Sequence, residues 1–118
     1  MPITVLIVDD HTTFRASARR LLESEGFEVV GEAQDGGSAI EQTTALAPDL
    51  LLLDVQLPDI DGFEVASRVT DRDGAPVVIL VSSRDGSDFG PLVRASGARG
   101  FVAKADLSGD RLRALLDG

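Results

Sequence analysis

Asp49-Leu50-Leu51-Leu52-Leu53-Asp54-Val55-Gln56 decides the fold. Four consecutive leucines show no alternation of apolar and polar positions, so a strand built from them must be covered on both faces, as in a parallel sheet between layers of helices. Asp54 then stands where that strand meets its loop. Other runs end the same way: Ile3 to Val8 runs into Asp9 and Asp10, Pro76 to Val81 into Ser82 and Ser83, and Phe101-Val102-Ala103 into Lys104. Ligands of an open parallel sheet bind just beyond the carboxyl ends of its strands, which places all of these residues around one cleft.

Strand-like runs at Ile3 to Val8, Phe27 to Val30, Leu50 to Leu53, Val77 to Val81 and Phe101 to Ala103 alternate with stretches of helical period. The first helix is expected to begin with Thr12 or Thr13 as its cap, to turn Phe14, Ala18, Leu21 and Leu22 inward, and to end at Gly26. The second opens near Ser38, buries Ala39, Ile40, Thr43 and Ala47, and stops before Pro48. Asp61-Gly62 precedes a third with Phe63, Ala66 and Val69, and Ser108 precedes a last with Leu112, Leu115 and Leu116. Between them, Arg84-Asp85-Gly86-Ser87-Asp88-Phe89-Gly90-Pro91 predicts a long loop and a short helix ending at Gly97. Five βα units with right-handed crossovers predict an α/β, doubly wound, five-stranded parallel sheet of order 2-1-3-4-5, flavodoxin-like, with helices on both faces. In that order the ends of the first and third strands are neighbours, which brings Asp9, Asp10 and Asp54 together.

A chain of 118 residues fits one domain, so a single domain over residues 1–118 with no output domain is expected. It contains no cysteine, which excludes disulfides and thiolate metal sites. Apolar stretches of about six residues fall short of the ~20 needed to span a bilayer, and Met1-Pro2-Ile3-Thr4 lacks a basic leader, so a soluble cytoplasmic protein with no membrane association is expected. A formal net charge of -9 opposes direct binding to nucleic acid. Ten of the 11 basic residues are arginine, which sets Lys104 apart from a scatter of surface lysines.

Carboxylates gathered within about 4 to 5 Å repel one another by roughly 4 kcal/mol per pair at an effective dielectric of 20, so the cleft calls for a positive partner. Mg²⁺ suits it, because this ion takes a few carboxylates, keeps several waters and favours phosphate oxygens. Asp10 would bind the metal directly, Asp9 directly or through water, Asp54 beside them, and the backbone carbonyl of Gln56 would complete the set. Asp54, at the centre, becomes a candidate nucleophile toward phosphorus, forming an acyl phosphate. Lys104 would pair with the incoming phosphoryl oxygens and Ser82 would hydrogen-bond another; counting back from Lys104 gives Ser82 for that role, counting forward from Pro76 gives Val81, and Ser83 stays open beside them. Such a change of charge can pull Lys104 and Ser82 inward and so act as a switch. A phosphohydrolase with an aspartate nucleophile would want a second acid two residues on, where Gln56 stands, and a flavin-mononucleotide module would want a phosphate loop where Asp9-Asp10-His11 stands. His11 reads as an exposed loop histidine. Phe101, three residues before Lys104, points to the opposite sheet face or toward the strand edge near the fourth helix, and reads as core packing.

Val8-Asp9-Asp10, the stretch Pro48 to Gly62 and the stretch Gly97 to Lys104 together make the chain resemble a response-regulator receiver domain of bacterial two-component signalling, similar to the chemotaxis regulators in fold, over essentially its whole length. The resemblance implies that a sensor histidine kinase or a histidine phosphotransfer protein donates phosphate to Asp54 with Mg²⁺. It implies no enzyme beyond self-phosphorylation and self-dephosphorylation. It also implies switch residues at Ser82 and Phe101, and a surface of fourth helix, fifth strand and fifth helix that docks a downstream protein as a monomer or a phosphorylation-dependent dimer. Where the family often carries proline after its lysine, Ala105 stands here, so the loop after Lys104 is expected to differ.

Overall fold

The computed structural model describes residues 2–83 and 89–117. Its strands are β1 (Thr4–Val8), β2 (Glu28–Ala33), β3 (Leu50–Asp54), β4 (Val77–Ser82) and β5 (Gly100–Ala103). The helices are α1 (Thr12–Ser24), α2 (Gly36–Leu46), α3 (Gly62–Thr70), α4 (Gly90–Ala95) and α5 (Gly109–Asp117), with a 3₁₀ turn at Lys104–Asp106. The strands form one parallel sheet in the order β2-β1-β3-β4-β5, the predicted doubly wound topology.

The leucine run shows why both faces are covered. Leu51 and Leu53 pack with Leu6, Val8, Val78 and Leu80 against Ala39 of α2, Val65, Ala66 and Val69 of α3, and Val93 of α4. Leu50 and Leu52 point the other way, packing with Val5, Ile7, Ile79 and Val81 against Ala18 and Leu22 of α1 and Leu112 of α5. Each fully buried leucine contributes about 1.5–3 kcal/mol, so this central strand fixes the two layers at once. Among the described residues no helix is long and apolar enough to cross a membrane.

Several boundaries differ from the sequence expectation, each for a local reason. β2 runs to Ala33, past the expected Val30, because it is an edge strand with mixed burial and a register shift opposite Val5 and Leu6, features that erase an apolar signature. α1 is capped by His11, with Thr12 and Thr13 already inside the helix, and Leu21 is only half-buried. α2 opens two residues before Ser38 because the Asp35 carboxylate accepts from the Ser38 amide at 2.7 Å. Ala47, expected inside, is the exposed left-handed residue that ends this helix, with φ 46°. α4 is short and carries Pro91 in its first turn, and Gly97, just past its C-cap Ser96, adopts the left-handed φ of 86° with which many helices end. Of the expected long loop, Arg84 to Asp88 lie outside the described residues.

Candidate functional site

β1 and β3 are hydrogen-bonded neighbours, so their carboxyl ends meet at the point where the chain reverses its winding. Asp9, the residue after β1, is fully buried, and its amide donates to the Ala33 carbonyl at 3.0 Å. Asp10 is exposed beside it. Asp54 ends β3, is 4 % exposed, and lies opposite Val81 of β4. The chain turns sharply after it, with the Gly62 amide donating to the Val55 carbonyl at 2.7 Å. A Cβ at position 62 would come within 2.3 Å of the Asp54 carbonyl oxygen, so only glycine lets α3 start this close to the acid.

Lys104 reaches into the cleft from the 3₁₀ turn that follows β5, with Ala105 as the second residue of that turn. Its Nζ lies 2.5 Å from Asp9 Oδ2 and 3.3 Å from Asp54 Oδ2, so the ammonium bridges the two buried acids, and it also sits 4.4 Å from the centre of the Phe14 ring. The Asp9 contact is charge against charge, since Asp9 Oδ2 is buried with no hydrogen-bond partner aligned to it. Asp9 Oδ1 accepts from the His11 amide at 2.8 Å, and His11 Nδ1 lies 3.1 Å from Asp9 Oδ1 and from Asp10 Oδ1. Asp54 Oδ1 accepts from the Gln56 amide at 3.2 Å.

Burial, and then the neighbouring charge of Asp9, push the Asp54 carboxyl up to about 6, against the opposing pull of the Gln56 amide and Lys104. For Lys104, burial alone would lower the pKa, but the contact with Asp9 and the charge of Asp54 outweigh it and the net shift is upward. One ligand atom each from Asp9, Asp10, His11 and Asp54 falls within 4.8 Å of the others. The set is dominated by hard carboxylate oxygens, and this is a donor set that fits a divalent cation such as Mg²⁺.

Ser82 ends β4, buried and paired in register with Ala103, whereas Ser83 is exposed in the bend beyond it; Val81, the alternative by counting forward, faces the opposite core. Phe101 faces the layer away from Lys104 and stacks, tilted, on Phe89 at 5.8 Å, which in turn meets Phe63 at 5.7 Å. The structure therefore gathers Asp9, Asp10, Asp54 and Lys104 in one cleft and sets Phe101 behind it. Sequence reasoning missed Phe14 beneath Lys104, the place of His11 at the N-cap position of α1, and Arg15, whose Nη1 donates to the Asp9 carbonyl at 2.6 Å. Helical side chains slant toward the N-terminus, so a long residue one turn into α1 could have been expected to reach back to the β1–α1 loop.

The family model described as "Response regulator receiver domain" matches residues 5–117. BvgA of Bordetella pertussis is 41% identical over 100 residues, covering 85% of this chain and 48% of its own length. The DNA-binding transcriptional activator EvgA of Escherichia coli K12 is 32% identical over 104 residues, covering 88% of this chain and 51% of its own. Among solved structures, the signal receiver domain of NarL from Mycobacterium tuberculosis superposes with a TM-score of 0.88 at 36% identity, covering 98% of this chain and 94% of that one. The chain spans about half the length of the curated relatives it matches.

Proposed function

The chain belongs to the response regulator receiver domain family of two-component signalling, and from that premise we propose that Asp54 is its phosphoryl acceptor. One observation carries this reading: Asp54 is the buried carboxylate at the mouth of the cleft, joined through Lys104 to Asp9 and with Asp10 within reach of the same ion. In the step, an Asp54 carboxylate oxygen attacks phosphorus of a phosphohistidine on a sensor kinase or phosphotransfer protein. The new O–P bond forms as the N–P bond breaks, and the histidine leaves with the electron pair of the broken bond. Water reverses the modification by attacking the acyl phosphate, releasing inorganic phosphate and the free carboxylate; no other enzymatic activity is proposed.

Asp9, Asp10, Asp54 and the Gln56 carbonyl would hold Mg²⁺, which when bound offsets the negative charge of the acids and of the phosphoryl oxygens. Lys104, already between Asp9 and Asp54, turns to the phosphoryl oxygens, and Ser82 donates to another. Phe101 then repacks against Phe89, altering the face of α4, β5 and α5. Residues 1–118 act as one receiver unit in the cytoplasm, where the kinase donor works, as a monomer or a dimer formed on phosphorylation. The charge of -9 favours passing the signal on through a protein surface over touching nucleic acid directly.

Treatment with a small acyl-phosphate donor and Mg²⁺ should add one phosphoryl group, read by intact mass. Asp54→Asn should abolish the addition, and so should chelation of the metal. Undiminished labelling of Asp54→Asn would remove Asp54 from the acceptor role.

A further inference from the structure

We infer that Arg15 is a positioning residue for the cation site, fastening the peptide between Asp9 and Asp10 so that both carboxylates face one ion; the inference rests on the reading that this acidic cluster binds Mg²⁺. The side chain of Arg15 is only 14% exposed; arginine is seldom this buried without partners, and each nitrogen of its guanidinium donates once. Nη1 donates to the Asp9 carbonyl at 2.6 Å, Nε to Glu32 Oε1 at 3.1 Å, and Nη2 to Thr12 Oγ1 at 3.4 Å. Glu32, on β2, is steadied in turn by Arg19 Nη1 at 3.2 Å.

The consequence concerns the backbone. The Asp9 amide is already tied to the Ala33 carbonyl of β2. With Arg15 on the carbonyl, the peptide planes on both sides of the Asp9 Cα are held, and the second of these planes sets the direction in which Asp10 begins. Asp10 is 37% exposed, and its side-chain contact is with the loop residue His11, so the orientation of its carboxylate depends on that peptide. Partners that orient metal ligands are worth about 10- to 100-fold in affinity. Arginine suits the task because its planar fork spans a carbonyl and a carboxylate at once, which the single ammonium of lysine does not.

The test is a calorimetric titration of the chain with Mg²⁺ alone, alongside the Mg²⁺ dependence of acyl-phosphate labelling. Arg15→Ala should weaken Mg²⁺ binding about tenfold. In labelling it should raise the half-saturating Mg²⁺ by the same factor, while the rate at saturating Mg²⁺ stays within about twofold, a split that general destabilisation would not produce. Arg15→Lys, which keeps the charge and loses the fork, should stay within about twofold of Arg15→Ala. Arg19→Ala, which loosens Glu32 without touching Asp9, should lose far less Mg²⁺ affinity than Arg15→Ala, about twofold at most. Should Arg15→Ala fail to fold, Glu32→Gln carries the test by freeing the other end of the guanidinium, with an expected weakening of about threefold. Parent-like affinity in Arg15→Ala or, where it decides, in Glu32→Gln overturns the inference, as does full recovery by Arg15→Lys or an equal loss in Arg19→Ala. A parent chain that binds no Mg²⁺ instead sinks the cation-site reading beneath it.

Discussion

At the scale of single residues, Asp54 is held in a conflict that its chemistry can use. Its folded pKa of about 6 lies above the ordinary 3.8, so the fold binds a proton more readily than the unfolded chain in that interval. The ionised carboxylate is therefore a stability cost that is complete above pH 6 and absent below about 3.8. In chelator, Asp54→Asn should melt higher than the parent at pH 8, and the gap should close as pH falls through 6 toward 4; melting curves across that range check it, and a gap indifferent to pH would contradict the burial and Asp9 repulsion behind the shift. Lys104 carries the opposite burden, as the cation beside a fully buried Asp9 and a nearly buried Asp54. Removing one partner of such a cluster leaves charge unpaired in a dry place, so Lys104→Ala should cost about 3 kcal/mol in urea unfolding at pH 7. Added Mg²⁺ should recover part of that loss, because a second cation source then faces the same oxygens.

Elements are joined to the site by contacts that no periodicity announces. The Asp59 carboxylate, in the β3–α3 loop, accepts from the Gly36 amide and the Gly37 amide, each at 2.8 Å, and so clips that loop onto the first turn of α2. These amides, Gly36 first, hold its pKa down to about 2. A depressed carboxyl stabilises above its unfolded value and loses that contribution as pH falls toward its folded one. Asp59→Ala should therefore lower Tm at pH 6, with the difference fading between about pH 4 and 2, measured by thermal melts in matched buffers. The strands, by contrast, were legible from the sequence: unbroken apolar runs told of two covered faces, and charged or hydroxyl ends told where the cleft would be. β2 was shortened in that reading because its apolar run stops at Val30, although a Cβ at 31 would meet Leu46 and Gln42 side chains and Glu32 is an anchor for two arginines. Asp9, Asp10, Asp54 and Lys104 were found because they end strands. Arg15, Asp59 and Phe14 were not, because side-chain reach to a distant backbone or ammonium depends on how helices seat on the sheet; only for Arg15, one turn into α1, does position along the chain hint at the contact.

For the whole molecule, the acidic excess and the local cleft make different demands on a cation, and the difference is measurable. A net charge of -9 spread over the surface is relieved by any salt, since exposed charges are screened beyond a Debye length of about 8–10 Å at ordinary ionic strength. The cleft is another matter: Asp9 is fully buried and Asp54 nearly so, and bulk ions screen such charges poorly. An ion that binds the folded chain alone stabilises it by mass action, by about 1.4 kcal/mol when free Mg²⁺ is ten times its Kd, or roughly 5 °C in Tm for a domain of this size. Millimolar Mg²⁺ should thus raise Tm well beyond NaCl of equal ionic strength, and Asp9→Asn should erase that excess while leaving the NaCl response in place. If the two salts raise Tm equally, the acids are being relieved as a diffuse surface charge, and the ordered donor set at the ends of β1 and β3 is not acting as a binding site.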